Sequence, residues 1–252
     1  MKSFIAKLTL HMLLALNCSA FFAMDKPLAP KSNIFSKAKA QVKNIISSKT
    51  KSEKATQELI KLINSDQEIT VLQVQPLIQA GADINAIGAD GKSLLTKASE
   101  CECKRGFSLA EWAIKNGARV QDSALLILNA MNNNLPFVKL LIDHGADVNV
   151  KGKGGIRPLY HAVYNQNEKM VQLLIESGAD VNAETNNNIA PLDVLITSTP
   201  LSGPNEIKSL AIAKLLIDNE AVVSQKNLED AQRMSKRLFE FLISYSHKKK
   251  LE

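Results

Sequence analysis

A ten-residue phrase recurs along this chain and constrains its fold more than any other feature. Residues 140–149 read LLIDHGADVN, and residues 173–182 read LLIESGADVN. Related phrases read PLIQAGADIN at 76–85 and WAIKNGARVQ at 112–121, and a degenerate copy reads LLIDNEAVVS at 215–224. Self-similarity at a fixed spacing of about 33 residues is the signature of a repeat architecture. We therefore expect about five copies of one structural unit.

Each copy carries the same local pattern. Val171, Leu174 and Ile175 recur at the three- and four-residue spacing that gives a helix one apolar face. The glycine that follows, here Gly178, permits the left-handed backbone that ends a helix. A turn of polar and glycine residues comes next, and Pro191 then begins a second helix at a position where the missing N–H is not needed. The predicted unit is therefore a helix, a turn and a helix, in which small residues allow close packing.

This unit resembles the ankyrin repeat, whose period is about 33 residues and whose signature is T-P-L-H-x-A. RPLYHAV at 157–163 keeps Pro158, Leu159 and Ala162, whereas APLDVLI and SLLTKAS keep less of the signature. The closing phrase GAD(V/I)N is the stronger feature. The resemblance covers roughly residues 56–246. It implies an all-α ankyrin-repeat solenoid of about five helix-turn-helix repeats with short β-turn fingers and a C-terminal capping helix.

Departures from the repeat set the expected boundaries. The third repeat should lack a projecting finger, because GARVQDSALLILNA runs almost directly into its helix. LEDAQRMSKRLFEFLISYS separates apolar from charged positions, as the end of a solenoid requires. We expect a signal peptide at 1–23, a Lys-rich flexible leader at 24–54, ankyrin repeats at 55–223, one capping helix at 224–246 and a basic tail at 247–252.

The first 23 residues have the layout of a secretory signal, with Lys2 and Lys7 before an apolar run that ends in small residues. A membrane anchor is disfavoured, because polar residues interrupt a run shorter than the roughly 20 apolar residues of a spanning helix. Cys18 is a poor lipidation site, because a polar residue precedes it. We expect cleavage after Ala20 or Ala23 and an exported protein, periplasmic or secreted. The signal and the Asn- and Lys-rich composition suggest a bacterium.

The formal net charge of +6 would by itself suit a binder of nucleic acid or membranes. The excess of lysine lies in the leader and at Lys248 to Lys250, however, and the repeats between them are slightly acidic. We therefore expect no nucleic-acid partner. The leader leaves an alternative open, because Phe35, Ala38, Val42 and Ile45 fall on one helical face among lysines, a pattern that suits an acidic membrane surface.

Two cysteines remain after the predicted cleavage, Cys101 and Cys103. A bridge across a single residue would close a very small, strained ring, and two ligands do not make a zinc site. We expect a loop without special chemistry, with a redox or intermolecular role as the alternative.

The sequence assembles no catalytic constellation. The four histidines lie apart, and none forms a His/Glu pair at ligand spacing. KGKGG lies where a repeat finger belongs and lacks the remainder of a phosphate-binding loop. We expect no enzyme, no metal site and no cofactor.

Similarity to ankyrin proteins implies that the chain binds another protein through a concave surface made of the fingers and the first helix of each repeat. Tyr164 and Ile156 are the preferred anchors, because exposed apolar side chains on such a face anchor partners. Carried over position by position, the partner-binding residues are Asp90, Lys92, Lys97, Lys153, Ile156, His161, Tyr164, Asn165, Asn186, Asn187 and Ile189, with Ala89, Val194, Thr197, Asn129 and Asn132 as further variable positions.

The sequence therefore predicts an exported, monomeric, non-catalytic protein-interaction module, whose partner belongs either to a host or to the cell itself. The alternative is a peripheral membrane or polyanion binder that acts through the leader, with the repeats as a scaffold.

Overall fold

The computed structural model describes residues 32–101, 104–197 and 204–249. The predicted signal peptide, the start of the leader and the last three residues of the basic tail lie outside the described residues. The chain divides into two units, residues 1–50 and residues 51–252.

The first helix, α1, spans Ser32–Ile63 and therefore runs from the first unit into the second. This differs from the expectation of a flexible leader, because residues 32–54 are regular helix. The stretch contains no Gly or Pro between Ser32 and Ile63 and is rich in Lys, which is a good helix former. Among the described helices, none combines the length and the apolar character that crossing a membrane requires.

Beyond α1, the second unit consists of helices joined by short connections. The N-terminal pair, α1 and α2, is followed by five further helix pairs. Within each pair, the helix that comes earlier in the chain is called the first helix and the later one the second helix. The helices are α2 (Val71–Gln79), α3 (Leu94–Glu100), α4 (Lys104–Lys115), α5 (Ser123–Met131), α6 (Leu135–Asp143), α7 (Pro158–Tyr164), α8 (Glu168–Glu176), α9 (Pro191–Thr197), α10 (Pro204–Asp218), α11 (Gln225–Met234) and α12 (Lys236–Lys249).

Equivalent helices of neighbouring repeats pack side by side. The first helices α5, α7, α9 and α11 form one row, and the second helices α6, α8, α10 and α12 form another. One hydrophobic core runs between the rows from Leu59 in α1 to Leu242 in α12. Ala98 and Ala162 are buried in it, which confirms that small residues allow the helices to pack closely. Each repeat thus buries its apolar face against its neighbours, as a solenoid requires.

The recurrent phrase ends the second helix of each repeat in one geometry. After α6, the Ala146 amide donates to the Leu141 carbonyl at 3.0 Å and the Gly145 amide to the Ile142 carbonyl at 2.9 Å. Gly145 has a φ of 86°, the left-handed conformation of this helix-ending motif. The same pair of bonds ends the equivalent helices at Gly81, Gly117, Gly178 and Glu220. The sequence-based prediction for these glycines is confirmed.

The C-terminal cap is a pair of helices and not the single helix predicted for 224–246. Ser235 separates α11 from α12 with an extended backbone, φ −154° and ψ 120°. Its side-chain oxygen accepts from the Leu238 amide at 3.2 Å and so caps the start of α12. The same hydroxyl donates to Glu206 Oε1 at 2.7 Å. A serine with these two roles ends one helix and begins another.

The connection between α3 and α4 contains Cys101, which is disulfide-bonded. The other cysteines, Cys18 and Cys103, lie outside the described residues. Arg105, at the start of α4, pairs with Glu68 in the loop after α1, with 2.9 Å between Nη1 and Oε2. Because Cys101 is disulfide-bonded, the prediction of a loop without special chemistry is wrong for this residue.

Candidate protein-binding surface

Three β-turn fingers connect second helices to the following first helices, at residues 88–92, 152–156 and 185–189. In each, the first residue donates its amide to the carbonyl of the last: Gly88 to Lys92 and Gly152 to Ile156 at 2.8 Å, and Thr185 to Ile189 at 3.1 Å. The fourth residue of every finger has a positive φ, at Gly91, Gly155 and Asn188. Gly and Asn are the residues that adopt this backbone most easily. The predicted fingers are confirmed.

The last two fingers pack against each other. The backbone N–H of Asn186 donates to the Gly154 carbonyl at 2.9 Å. A Cβ atom at Gly155 would lie only 2.5 Å from Asn186 Oδ1 and 2.9 Å from the Asn186 backbone nitrogen. Glycine is therefore required at 155 both for its backbone conformation and for this close approach.

The third repeat has no finger, as the sequence predicts. After the helix-ending Gly117 the chain reaches Ser123, the first residue of α5, by a short segment without regular secondary structure. Asp122 caps α5, because its Oδ1 accepts from the Ala124 amide at 3.0 Å. We call the surface formed by the three fingers and the first helices α3, α5, α7 and α9 the finger face.

On the second repeat, the predicted binding residues are paired with one another and with Glu100. Lys92 Nζ lies 2.6 Å from Glu100 Oε1 and 3.8 Å from Asp90 Oδ2, and Lys97 Nζ lies 3.9 Å from the same Asp90 oxygen. The hydrogen bond that the Lys92 ammonium donates to the Glu100 carboxylate raises the pKa of Lys92 above its ordinary value. Because these charges neutralise each other at the surface, they offer a partner little net charge.

On the fourth repeat, the structure brings most of the predicted residues onto one finger and one helix. Lys153 and Tyr164 are exposed, and Ile156 and His161 are partly buried. Tyr164 keeps 55% of its surface accessible. The His161 ring meets the Tyr160 ring edge-on, with 5.8 Å between centroids, and burial lowers the pKa of His161. This repeat presents the aromatic anchor that the sequence analysis favours.

Some predicted residues make structural contacts. Asn165 Nδ2 donates to the Ala130 carbonyl at 3.3 Å and to the Met131 carbonyl at 2.9 Å, and so ties the end of α7 to the end of α5. Asn129 and Val194 are buried, so the prediction that they face a partner is wrong. A position-by-position transfer cannot detect such bonds, because they depend on the neighbouring repeat.

On the fifth repeat, the finger presents Asn186 and Asn187 as exposed side chains. Ile189, at the base of the same finger, is partly buried and packs against the core. The polar tip is therefore accessible, whereas the apolar residue mainly anchors the finger.

The third repeat carries an exposed apolar side chain that was not predicted from the sequence. Met131, the last residue of α5, keeps 48% of its surface accessible. It occupies the position of Tyr164 in α7, since each lies three residues before the asparagine that caps the following helix, Asn134 or Asn167. Aligning those two asparagines would have revealed the equivalence. Met131 and Tyr164 thus lie on adjoining first helices of the finger face.

Among the described residues, no group of three or more His, Cys, Asp or Glu side chains is placed to hold a metal ion.

Comparison with known proteins agrees with this geometry. Residues 101–185 match the sequence model of the family described as ankyrin repeats (3 copies). None of the curated proteins compared matches the chain. Ankyrin repeats generally mediate protein–protein interaction, and proteins built from them are typically non-catalytic binding modules. With its paired helices, its fingers and this match, the chain is an all-α solenoid that contains ankyrin repeats.

Proposed function

We propose that this chain is a non-catalytic module that binds another protein through the finger face. The observation that carries the proposal is the pair of exposed apolar side chains, Met131 and Tyr164, at equivalent positions of α5 and α7. Large apolar and aromatic side chains that remain exposed on adjoining helices are typical anchors of protein interfaces.

The surroundings of this pair favour a protein as the ligand. Asn165 holds the ends of α5 and α7 together, so the two anchors lie on a rigid base. The nearby charges Asp90, Lys92 and Lys97 pair within the second repeat and do not form a broad basic surface for nucleic acid. An apolar centre with a mixed polar margin is the usual composition of a protein interface.

The proposed setting is outside the cytoplasm. It rests on the sequence of residues 1–23, which has the order of features of a secretory signal. The partner is then a protein of the periplasm or of a host, and the exported protein acts by binding alone, as a monomer.

Affinity capture with quantitative mass spectrometry tests the proposal. The bait is the mature chain, and the test variant carries Tyr164→Ala and Ile156→Ala. We expect the amount of captured partner to fall about tenfold, as for a residue pair at the centre of an interface. The control is Ile207→Ala, which removes an exposed apolar side chain from the second helix α10. Equal capture by the wild-type chain and the double variant, with unchanged thermal unfolding, would contradict the proposal.

A second candidate function is favoured by one observation on the first unit. Val42, Ile45 and Ile46 in α1 are exposed, and Ile45 keeps 64% of its surface accessible. The same helix carries lysines, so it has the composition of an amphipathic helix that lies on an acidic membrane. The candidate is a peripheral membrane or polyanion binder with the repeats as a scaffold.

Flotation with acidic vesicles separates the two functions. The deletion should end at residue 50, because the Ser52 hydroxyl donates to the Gly81 carbonyl and Leu59 belongs to the core. Flotation that requires residues 24–50 and is lost at high salt supports the membrane function. Flotation that is absent, or that survives the deletion, supports protein binding through the finger face.

A further inference from the structure

The row of fingers is interrupted at the third repeat. Fingers 88–92 and 152–156 lie on the repeats to either side, and the segment before α5 forms none. The outer side of α5 is accordingly accessible: Ile127 and Leu128 are only partly buried, and Met131 is exposed. Because the third repeat has no finger, α5 presents these apolar side chains directly to a binding partner.

A groove of about 460 Å³ occupies this position. Ile127, Leu128 and Met131 are among the α5 residues that line it, and Thr96 of α3 and residues 151–153 of the fourth repeat also contribute. Its volume falls within the range of about 300–1,000 Å³ that is typical of ligand pockets, so it has room for a large side chain. We call it the repeat-3 groove.

The wall formed by the fourth repeat is closely packed. A Cβ atom at Gly152 would lie 2.8 Å from Ile127 Cδ1, so the start of finger 152–156 rests directly on α5. Gly152 also donates its amide to the Ile156 carbonyl, and this bond closes the finger that forms the wall. A preformed groove of this kind requires little ordering when a partner binds, which favours affinity.

The charged side chains of the groove are both lysines, Lys151 and Lys153. Both are exposed, and within the described residues neither forms an ion pair. They differ in this from Lys92 and Lys97 on the second repeat, which pair with Asp90 and Glu100. The groove therefore combines an apolar floor with a positive margin that is free to pair with an acidic group.

We propose that the repeat-3 groove binds a segment of the partner protein that places a large apolar side chain beside an acidic residue. This inference rests on the proposed function and specifies the chemistry of the partner. The apolar side chain covers Met131 and Leu128, and the burial of its surface supplies most of the affinity. The carboxylate pairs with Lys151 or Lys153, and this pairing mainly sets orientation and the rate of association.

The probe for a test is a phage-displayed library of random dodecapeptides, selected on the full mature chain. We expect the enriched peptides to carry an aromatic or aliphatic residue adjacent to Asp or Glu. Their affinity should fall about tenfold with Met131→Ser and again with the pair Lys151→Glu and Lys153→Glu. It should also fall at high salt, because exposed ion pairs are screened. Ile207→Ser and Lys169→Glu serve as controls, since each makes the same kind of change on a second helix.

Three results would overturn the inference: enrichment of basic or purely polar peptides, binding that is insensitive to Met131→Ser, or no enrichment at all. A captured protein that depends on Tyr164 and Ile156 but not on Met131, Lys151 or Lys153 would overturn the groove and leave the protein-binding function intact. Capture that is insensitive to all five positions would overturn both.

Discussion

The side chain of Asn149 joins its own repeat to the next one through two hydrogen bonds. Its Nδ2 donates to the Gly178 carbonyl at 2.9 Å, and its Oδ1 accepts from the Asp180 amide at 2.8 Å. Asn85 makes the same bonds to Gly117 and Arg119, and Asn182 makes them to Glu220 and Val222. Asn suits the last position of the recurrent phrase because its side-chain amide bonds both a backbone carbonyl and a backbone N–H that follow the next second helix.

Replacing Asn149 with Ala should destabilise the protein. Both bonds are lost, and since each neutral hydrogen bond contributes about 0.5–1.5 kcal/mol, we expect a loss of about 1–2 kcal/mol in the free energy of unfolding. Urea titration measures it. Asn187→Ala is the matched control, because that exposed finger side chain makes no hydrogen bond within the described residues. Equal losses for the two variants would show that the bonds contribute nothing.

The third repeat has Gln121 where three other copies of the phrase have Asn, and within the described residues no such bonds join it to Gly145 or Asp147. Gln121→Asn should restore the link between the third and fourth repeats, because the shorter side chain then matches the geometry of Asn149. We expect a gain of about 0.5–1.5 kcal/mol in the free energy of unfolding. Unchanged stability would indicate that these two repeats are spaced differently from the others.

Glu220 adopts the conformation that glycine holds in the other copies, with a φ of 69°. A left-handed backbone costs a residue with a side chain about 1–2 kcal/mol, whereas glycine adopts it freely. Glu220→Gly should therefore stabilise the protein by about 1 kcal/mol, since glycine also gives the unfolded chain more freedom. The reciprocal change, Gly178→Glu, should destabilise it. Thermal unfolding of both variants measures the difference, and a loss of stability with Glu220→Gly would contradict this reasoning.

Burial lowers the pKa of His161 in the folded state below its ordinary value of 6.5. As pH falls below about 6.5, the unfolded chain takes up the proton first, so the folded state loses stability until its own, lower pKa is passed. The free energy of unfolding should accordingly decrease between pH 7.5 and pH 5. His161→Gln should flatten this decrease, as measured by urea titration at each pH. An identical pH profile in the variant would show that His161 does not contribute.

Local pattern predicts most of the repeat, because helix periodicity and helix-ending glycines depend on a few adjacent residues. The missing finger of the third repeat is predicted for the same reason, since it follows from chain length alone. What the sequence does not show are contacts between repeats. The roles of Asn165 and Ser235 depend on Met131 and Glu206, which lie about thirty residues away.

For the candidate surface too, local pattern predicts some residues and misses those that depend on the folded chain. Tyr164 is predicted because one residue of an aligned signature stands out, whereas Met131 is missed because its repeat lacks both the signature and the finger. The lysines of the second repeat are predicted to meet a partner, yet they pair with Asp90 and Glu100, and only the folded chain shows that pairing.

Hydrogen exchange of the mature chain, alone and bound to its captured partner, tests the central claim most directly. If the finger face binds the partner, amide protection should increase in fingers 88–92, 152–156 and 185–189 and at the ends of α5 and α7, while α6, α8 and α10 remain unchanged. Protection confined to the second helices, or to residues 32–50, would contradict binding through the finger face.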